Sequence, residues 1–520
     1  MEIGKALTWA AERYPERVAV AGTRRLTYRE WDARTNQIAH ALLASGVRPG
    51  DRVATFLSNS EVLASTHLAA QKLGVMSTPL NIRLGAGELA YCLDDSAPSL
   101  VLADDAAVTL AERALSTSTV SCPRLHAGSK RPDGVQDFEE LVAQQPTTRV
   151  DVTVRESDPS VMLYTSGTTG RPKGVPRTQR NEFTAAVAHV IQSQYAVGEV
   201  TLGAMPMYHT MGLRSLLSMV LVGGTFVELP SFDVERALQL VESEGVTCLY
   251  LVPTAFWALA ETGRLPDVAA TVRKIGFAGA PMTSTLAQRL VKDLGPDVFV
   301  NHYGSSEVYT FAVSADASRK PGSAGRPGVF SRLRVVSTDT GPEHEPLPVG
   351  EVGEIVASLE SDEAFAGYWN RPDADERGLR NGWYHTGDLG QLDEDGDLWV
   401  VGRVDDMIIS GGENVHPVEV EEVLARSQDV AEVAVVGLTD EKWGQAVTAF
   451  VVPTSRGEDP AAVAERIESW ARHDAGLSPY KRPKRVVVVD EIPKSPVGKI
   501  LRRKLAAGEY QPASAPRTDA

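Results

Sequence analysis

The sequence predicts an α/β protein of several domains: a large amino-terminal domain of doubly wound sheets, a β-barrel-like subdomain near residues 330–404, and a small α+β module after it. Three observations lead there. The first hundred residues alternate short apolar runs with amphipathic stretches, the pattern of βαβ units in a parallel sheet. The chain of 520 residues, 43% of them hydrophobic, is several times the size of one ordinary domain. Past Arg332 the pattern changes to short strands divided by Thr340-Gly-Pro, Asn381-Gly and Asp395-Gly turns.

In order, Ala6 to Tyr14 reads as an amphipathic helix and Val18-Ala-Val20 as extended. Thr27 and Glu30 have the spacing of a capping box, opening a helix that ends at Ser45-Gly46. Asp51–Leu57 reads as a strand, Glu61–Leu73 as a helix and Gly74–Leu80 as a strand. Residues 121–150 are poor in pattern and read as loop with one short helix. After the apolar strand Val161-Met-Leu-Tyr164 come a polar loop and a helix from Asn181 to Gln194. Val234–Leu251 forms another αβ unit, and Lys274–Pro281 and Val298–Val308 are strands running into glycine turns. The carboxyl-terminal part reads as helix 417–427, strands 430–437 and 446–452, helix 461–474 and strand 485–489. Residues 506–520, rich in Ala, Pro, Ser and Gly, read as a disordered tail.

The chemistry concentrates on Thr165-Ser-Gly-Thr-Thr-Gly-Arg-Pro-Lys173. Gly167 and Gly170 let backbone approach an anion, Ser166, Thr168 and Thr169 offer hydroxyls, and Lys173 adds charge. The pattern lacks the Gly-Lys-Ser/Thr of a Walker loop. Tyr208-His209 follows a strand that ends at a proline, at the edge where open α/β sheets bind ligands, although packing explains such a histidine equally well. In Asn301-His-Tyr-Gly-Ser-Ser-Glu307 an aromatic face, a hydroxyl at Ser306 and a carboxylate come together; the carboxylate suits Mg²⁺, a hard cation that prefers oxygen.

The spacing of these segments resembles the adenylate-forming superfamily of acyl-CoA and aryl-CoA ligases, peptide-synthetase adenylation domains and luciferases. The resemblance covers nearly the whole chain, with further matches at Trp383-Tyr-His-Thr-Gly-Asp388, at Gly402–Glu421 and at Ser495-Pro-Val-Gly-Lys499. It implies ATP and Mg²⁺ as cofactors, with residues 165–173 around the β- and γ-phosphates. It places Gly279, Ala280, Pro281, Tyr303 and Ser306 at the nucleotide, Asp388 on the ribose hydroxyls and Arg403 nearby. Glu307 would hold metal-bound phosphate, and Lys499 would bridge substrate carboxylate and α-phosphate. Asp405 would be the hinge between an adenylation domain, 1–404, and a mobile domain, 405–505, whose Gly411-Gly-Glu413 face would come to the acyl-adenylate for the second step.

Several segments are similar to the 4-chlorobenzoate and benzoate CoA ligase branch, among them Lys442-Trp-Gly-Gln445 and Tyr480-Lys-Arg-Pro-Lys-Arg485. That similarity implies CoA as acceptor, contacted by Arg83, Trp443, Tyr480, Arg482 and Lys484. Tyr480 stands where phenylalanine is expected, and Arg482 and Lys484 also read as plain surface charge. The acyl pocket would be lined by Phe183, His209, Thr210, Met211, Ala278, Gly279, His302, Gly304, Tyr309 and Thr310, with His209 at its mouth. An apolar pocket with no carboxylate for an α-ammonium favours an aromatic or alicyclic acid. Tyr309-Thr310 departs from the branch's Met-Asn, leaving the ring substituent open.

An amide-bond synthetase passing the acyl group to an amine, an enzyme loading a carrier protein, and a non-catalytic nucleotide-binding protein are the other readings. The net charge of −16 argues against nucleic acid or anionic membrane as partner. Three widely spaced cysteines and an amino terminus without a basic-then-apolar leader point to a cytoplasmic protein, as monomer or homodimer.

Overall fold

The computed structural model describes residues 2–165, 171–338, 345–404, 406–410, 413–455, 457–473, 477–494 and 500–513, except the side chain of Asn414. They fall into two compact units: Met1–Leu333 with Ala357–Tyr384, and Arg334–Val356 with His385–Ala520.

The first unit holds two sheets. One has seven strands in the order Gln136–Asp137, Arg124–Ala127, Leu100–Asp104, Arg52–Phe56, Met76–Pro79, Pro159–Thr165, Lys173–Thr178, parallel except for the last pair. The other has nine, with Val200–Gly203, Cys248–Leu251, Lys274–Ala278 and Val298–Tyr303 parallel at its centre. Parallel strands need helical crossovers, and the alternating pattern supplied them. Helix Tyr28–Ala44 starts at Thr27 with the anticipated capping box. Helix Glu61–Leu73 spans the residues expected of it, and nearly every side chain on it is buried. Helix Thr210–Val222 is buried as completely, and one apolar cluster joins these helices to Ile3–Arg13 and to strands of both sheets.

Three readings change. Residues 121–150 contain the helix Phe138–Ala143 but also two short strands that extend the seven-stranded sheet, because edge strands of two to four residues leave little periodicity to read. The region past Arg332 forms a five-stranded sheet whose ladder is open among the described residues, where a barrel was expected. The tail is ordered as far as Ala513: Tyr510 packs edge-on against Phe450, Pro512 bridges Val489, and Ala513 N–H donates to Val488 C=O at 2.9 Å. Residues 514–520 lie outside the described residues. A single aromatic anchor suffices to dock a polar tail when a sheet edge accepts its backbone.

In the second unit, helices Pro417–Leu424 and Pro460–His473 pack through one apolar cluster onto the antiparallel ribbon Val430–Asp440 and Gly444–Pro453, joined in parallel by Arg485–Val488.

Arg214 is the one charged residue of its helix, Thr210–Val222, and is wholly buried. It pairs with Glu182, on the helix Gln179–Gln192, and Glu182 also takes a bond from Arg177 Nε at 2.5 Å. Two cations share one carboxylate in the interior, and together they hold its pKa low against burial. Replacing Glu182 by alanine takes from both guanidiniums the carboxylate they bond, and the expected loss is about 3–5 kcal/mol, read by chemical denaturation. A loss under about 1 kcal/mol would show that water reaches the site.

Burial also keeps three interior histidines neutral: His67 is lowered to about 4, His302 to about 3, and His189 well below its usual value. The unfolded chain protonates them below about pH 6.5 while the folded chain does not. Their contribution to stability is therefore complete above about 6.5 and declines as the pH falls towards their folded values, each at up to about 1.4 kcal/mol per pH unit. Unfolding midpoints measured from pH 7.5 to 4.5 should fall, and His67→Gln should flatten the slope.

Candidate active site

In the first unit, strand Pro159–Thr165 and its antiparallel partner Lys173–Thr178 form a hairpin in which Thr165 and Lys173 face each other. The returning strand, absent from the sequence reading, anchors Lys173 at the end of the polar loop. Ser166, Gly167, Thr168, Thr169 and Gly170 lie outside the described residues. Lys173 Nζ stands 4.1 Å from the ring centre of Tyr368, and the Tyr368 hydroxyl donates to Glu307 Oε1 at 2.7 Å. A cation, a phenol and a buried carboxylate from three separate segments thus make one polar group. Tyr368 was missed, since only the fold carries it to Glu307.

Strand Val298–Tyr303 sets His302 and Tyr303 on opposite faces. Tyr303 is partly exposed and meets Phe311 edge-on at 5.1 Å, so a flat ring face is supported from behind. The turn after it is fixed by close approach. A Cβ on Gly304 would lie 1.8 Å from the Tyr309 carbonyl oxygen, so only glycine lets residues 304–310 fold back. Arg177 Nη1 donates to the Ser306 carbonyl at 2.8 Å, and Ser306 Oγ lies 3.2 Å from Thr210 Oγ1. The buried ion relay therefore reaches the turn that carries Ser306 and Glu307. Gly279, exposed and with φ of 86°, turns the chain out of strand Lys274–Ala278, followed by the half-buried Ala280 and the exposed Pro281.

Of the predicted acyl-pocket residues, Met211, Ala278, His302, Tyr309 and Thr310 are buried, Phe183, His209 and Thr210 are partly exposed, and Gly279 and Gly304 are open. Ala278 and His302 are paired across neighbouring strands. His209 caps the helix Thr210–Val222 without a side-chain cap bond. Burial, with Arg83 nearby, lowers its pKa to about 4, so it is a neutral ring at pH 7. Sequence reasoning overlooked Tyr250 and His189, which join Tyr309, and Glu363, whose carboxyl burial raises to about 7 against the pull of Arg177, Arg214 and Thr310.

In the second unit, Asp388 and Arg403 are cross-strand partners, and Arg403 Nη1 donates to Asp388 Oδ1 at 2.5 Å. Both were read as nucleotide contacts; the fold ties them to each other, so the guanidinium orients the carboxylate. Glu413 is exposed on the short strand Glu413–Val415, beside Ile408–Ser410. Asp405, Gly411, Gly412 and Lys499 lie outside the described residues. Trp443 is flanked by two ammonium groups, Lys442 Nζ and Lys484 Nζ, each 4.9 Å from its ring centre. Partial burial and the neighbouring Arg482 and Lys442 lower the pKa of Lys484. Crowded cations of this kind gain when a polyanion binds between them. Arg482 Nε donates to the Leu477 carbonyl, and Tyr480 is exposed beside Lys481. Arg83 belongs to the first unit and is exposed.

The family described as "AMP-binding enzyme" matches residues 7–369, and "AMP-binding enzyme C-terminal domain" matches 419–499. Feruloyl-CoA synthase of Amycolatopsis sp is 36% identical over 498 residues, 95% of this chain and 96% of its own. The 4-chlorobenzoate–CoA ligase of Arthrobacter sp is 34% identical over 517 residues, 96% of this chain and 94% of its own. The ATP-bound crystal structure of MatB from Rhodopseudomonas palustris superposes with a TM-score of 0.86 at 28% identity, covering 98% of this chain and 99% of that one. With a match across most of its length and relatives of this kind, the chain belongs to the family of AMP-binding enzymes, the adenylate-forming ligases.

Proposed function

We propose that this enzyme adenylates an aromatic carboxylic acid with ATP and transfers the acyl group to CoA. The observation that carries the reading is the group formed by Lys173, Tyr368 and Glu307, in the same unit as Ala278 and the neutral His302, paired across neighbouring strands. The relatives named for feruloyl and chlorobenzoyl thioesters support the aromatic class and the thiol acceptor.

A carboxylate resists acyl transfer because its leaving group would be oxide. In the first step its oxygen forms a bond to the α-phosphorus of ATP, and the bond to pyrophosphate breaks. Positioning and charge neutralisation dominate such a step. Lys173 would neutralise phosphate oxygens at the end of its hairpin, and Ser306, fixed through Arg177 and Thr210, would hold a phosphate oxygen by its hydroxyl. Glu307 offers a buried carboxylate with one oxygen held by Tyr368, a donor of the hard type that Mg²⁺ on the phosphates would use. Asp388, oriented by Arg403, would accept from the ribose hydroxyls. Lys499 would bridge the two reacting groups.

In the second step the CoA sulfur attacks the acyl carbonyl, AMP leaves and the thiol proton passes to solvent. Trp443 between Lys442 and Lys484 would receive the CoA nucleotide, an aromatic face with cations for its phosphates. The Gly411-Gly-Glu413 segment, turning about Asp405, would serve this step. A cytoplasmic setting suits both substrates and the three free cysteines.

The test is pyrophosphate release with Mg·ATP and a panel of benzoates, cinnamates and short fatty acids, each with CoA, with amines and with neither, products identified by mass. Turnover that needs CoA and yields an aryl thioester is the expected result; a CoA-independent amide would overturn the acceptor. Glu307→Gln should slow acid-dependent ATP–pyrophosphate exchange roughly 10²-fold, the scale on which removal of one electrostatic group acts. Trp443→Ala should leave that exchange intact and raise the KM for CoA about tenfold, the worth of one desolvated aromatic-cation contact.

A further inference from the structure

Two of the residues predicted to line the acyl pocket, His302 and Tyr309, belong to a buried cluster of four rings. Strand register places it. Tyr250 pairs with Gly276, Gly276 with Val300, and Ala278 with His302, so these five residues share one face of the nine-stranded sheet. A Cβ on Gly276 would sit 3.2 Å from Tyr250 Cδ2 and 3.0 Å from Val300 Cγ2, and its absence gives Tyr250 room beside its neighbours. Helix Gln179–Gln192 brings His189 onto the cluster, with ring centres 4.6 Å from Tyr250 and 5.0 Å from His302. Tyr309 closes it, stacked on His302 at 6.5 Å.

The polar atoms of this cluster are only partly matched. The Tyr309 hydroxyl donates to Tyr250 at 3.3 Å and lies 2.9 Å from His189 Nδ1. In either tautomer of His189, its Nε2 keeps a hydrogen-bonding valence of its own. Among the described residues that nitrogen has no hydrogen-bond partner, nor has either nitrogen of His302, although His302 is only 3% exposed. Buried polar atoms are nearly always matched, so three in one cluster ask for an explanation beyond packing.

The chemistry of the cluster narrows the answer. Burial keeps both imidazoles unprotonated and both phenols protonated at neutral pH. The charges closest by, Arg177 and Arg214, are set against Glu182 and Glu363. An ionic substituent would therefore be desolvated without a counter-charge, and a purely apolar one would leave the imidazoles unmatched. A neutral hydroxyl both donates and accepts.

We propose that His189, Tyr250, His302 and Tyr309 form the far wall of the acyl pocket and select an aromatic acid bearing a ring hydroxyl, which donates to one imidazole and accepts from another. This rests on the aromatic-acid reading of the pocket, which His302 and Tyr309 also line.

Matched pairs test it: 4-hydroxy- against 4-methylcinnamate, and 3- and 4-hydroxybenzoate against the corresponding methylbenzoates, compared by kcat/KM for pyrophosphate release with CoA. A wall built to bond a hydroxyl should favour the hydroxylated member of at least one pair by roughly 10²-fold or more, since the isostere leaves buried groups unpaired. His302→Phe should bring that ratio close to one, by losing the hydroxylated acid while the methyl acid is turned over as well or better. Tyr309→Phe should lower it about tenfold. A merely structural cluster would depress both members alike. Wild-type ratios near one in every pair, with both thioesters formed, overturn the inference and leave the ligase reading standing. Absence of turnover with any aromatic acid overturns both.

Discussion

The interior carboxylate of Glu182 is the constraint on which the first unit's site depends. It holds Arg177 and Arg214, one near the end of the strand that follows the polar loop, the other in a helix with no other charged residue. Through Arg177 the relay fixes the Ser306 carbonyl, one residue from Glu307. Through Arg214 it reaches the Tyr309 ring, with the guanidinium carbon 5.1 Å from the ring centre. One buried ion network thus ties the candidate phosphate-binding hairpin, the Glu307 turn and Tyr309 to the same two helices. Buried charge is a poor source of net stability, but it tolerates only one arrangement, because every alternative strands a charge away from water. Precise placement of several groups, the main requirement of phosphoryl chemistry, is what such a network provides.

The two regions around it have opposite electrostatic characters. Lys173, Tyr368 and Glu307 form a charged group suited to phosphate and its cation. Behind His302 the rings are neutral, since desolvation holds the histidines unprotonated and the phenols protonated. In the second unit the crowding of Lys442, Lys484 and Arg482 about Trp443 stores repulsion that an anionic ligand relieves.

Much of the fold was legible from local pattern. The helix at Glu61–Leu73, the capping box at Thr27 and the strand before the polar loop follow from side-chain periodicity and cap chemistry, which act within a few residues. The short strands Arg124–Ala127 and Gln136–Asp137 were not legible, since their only support is a neighbour in the sheet. Nor was the docking of Tyr510 on Phe450, sixty residues earlier in the chain. In the site, Lys173, Glu307 and His302 stood out because glycine turns and strand ends frame them. Tyr368, Tyr250 and His189 did not, for only the folded chain brings them to the other groups.

By itself the sequence determined the class of chemistry: a glycine- and hydroxyl-rich loop with a lysine, a carboxylate after an aromatic turn, and a terminal lysine segment are local devices whose spacing carries their meaning. Tertiary structure alone decided which polar groups meet in the interior. The pairing of Asp388 with Arg403, the sharing of Glu182 by two arginines and the ring cluster around His302 arise from strand register and helix packing. Hydrogen bonds and ion pairs act over about 3–4 Å, while residues that form them can stand as far apart in the chain as Arg177 and Ser306, 129 positions, so only the folded backbone can bring them within reach.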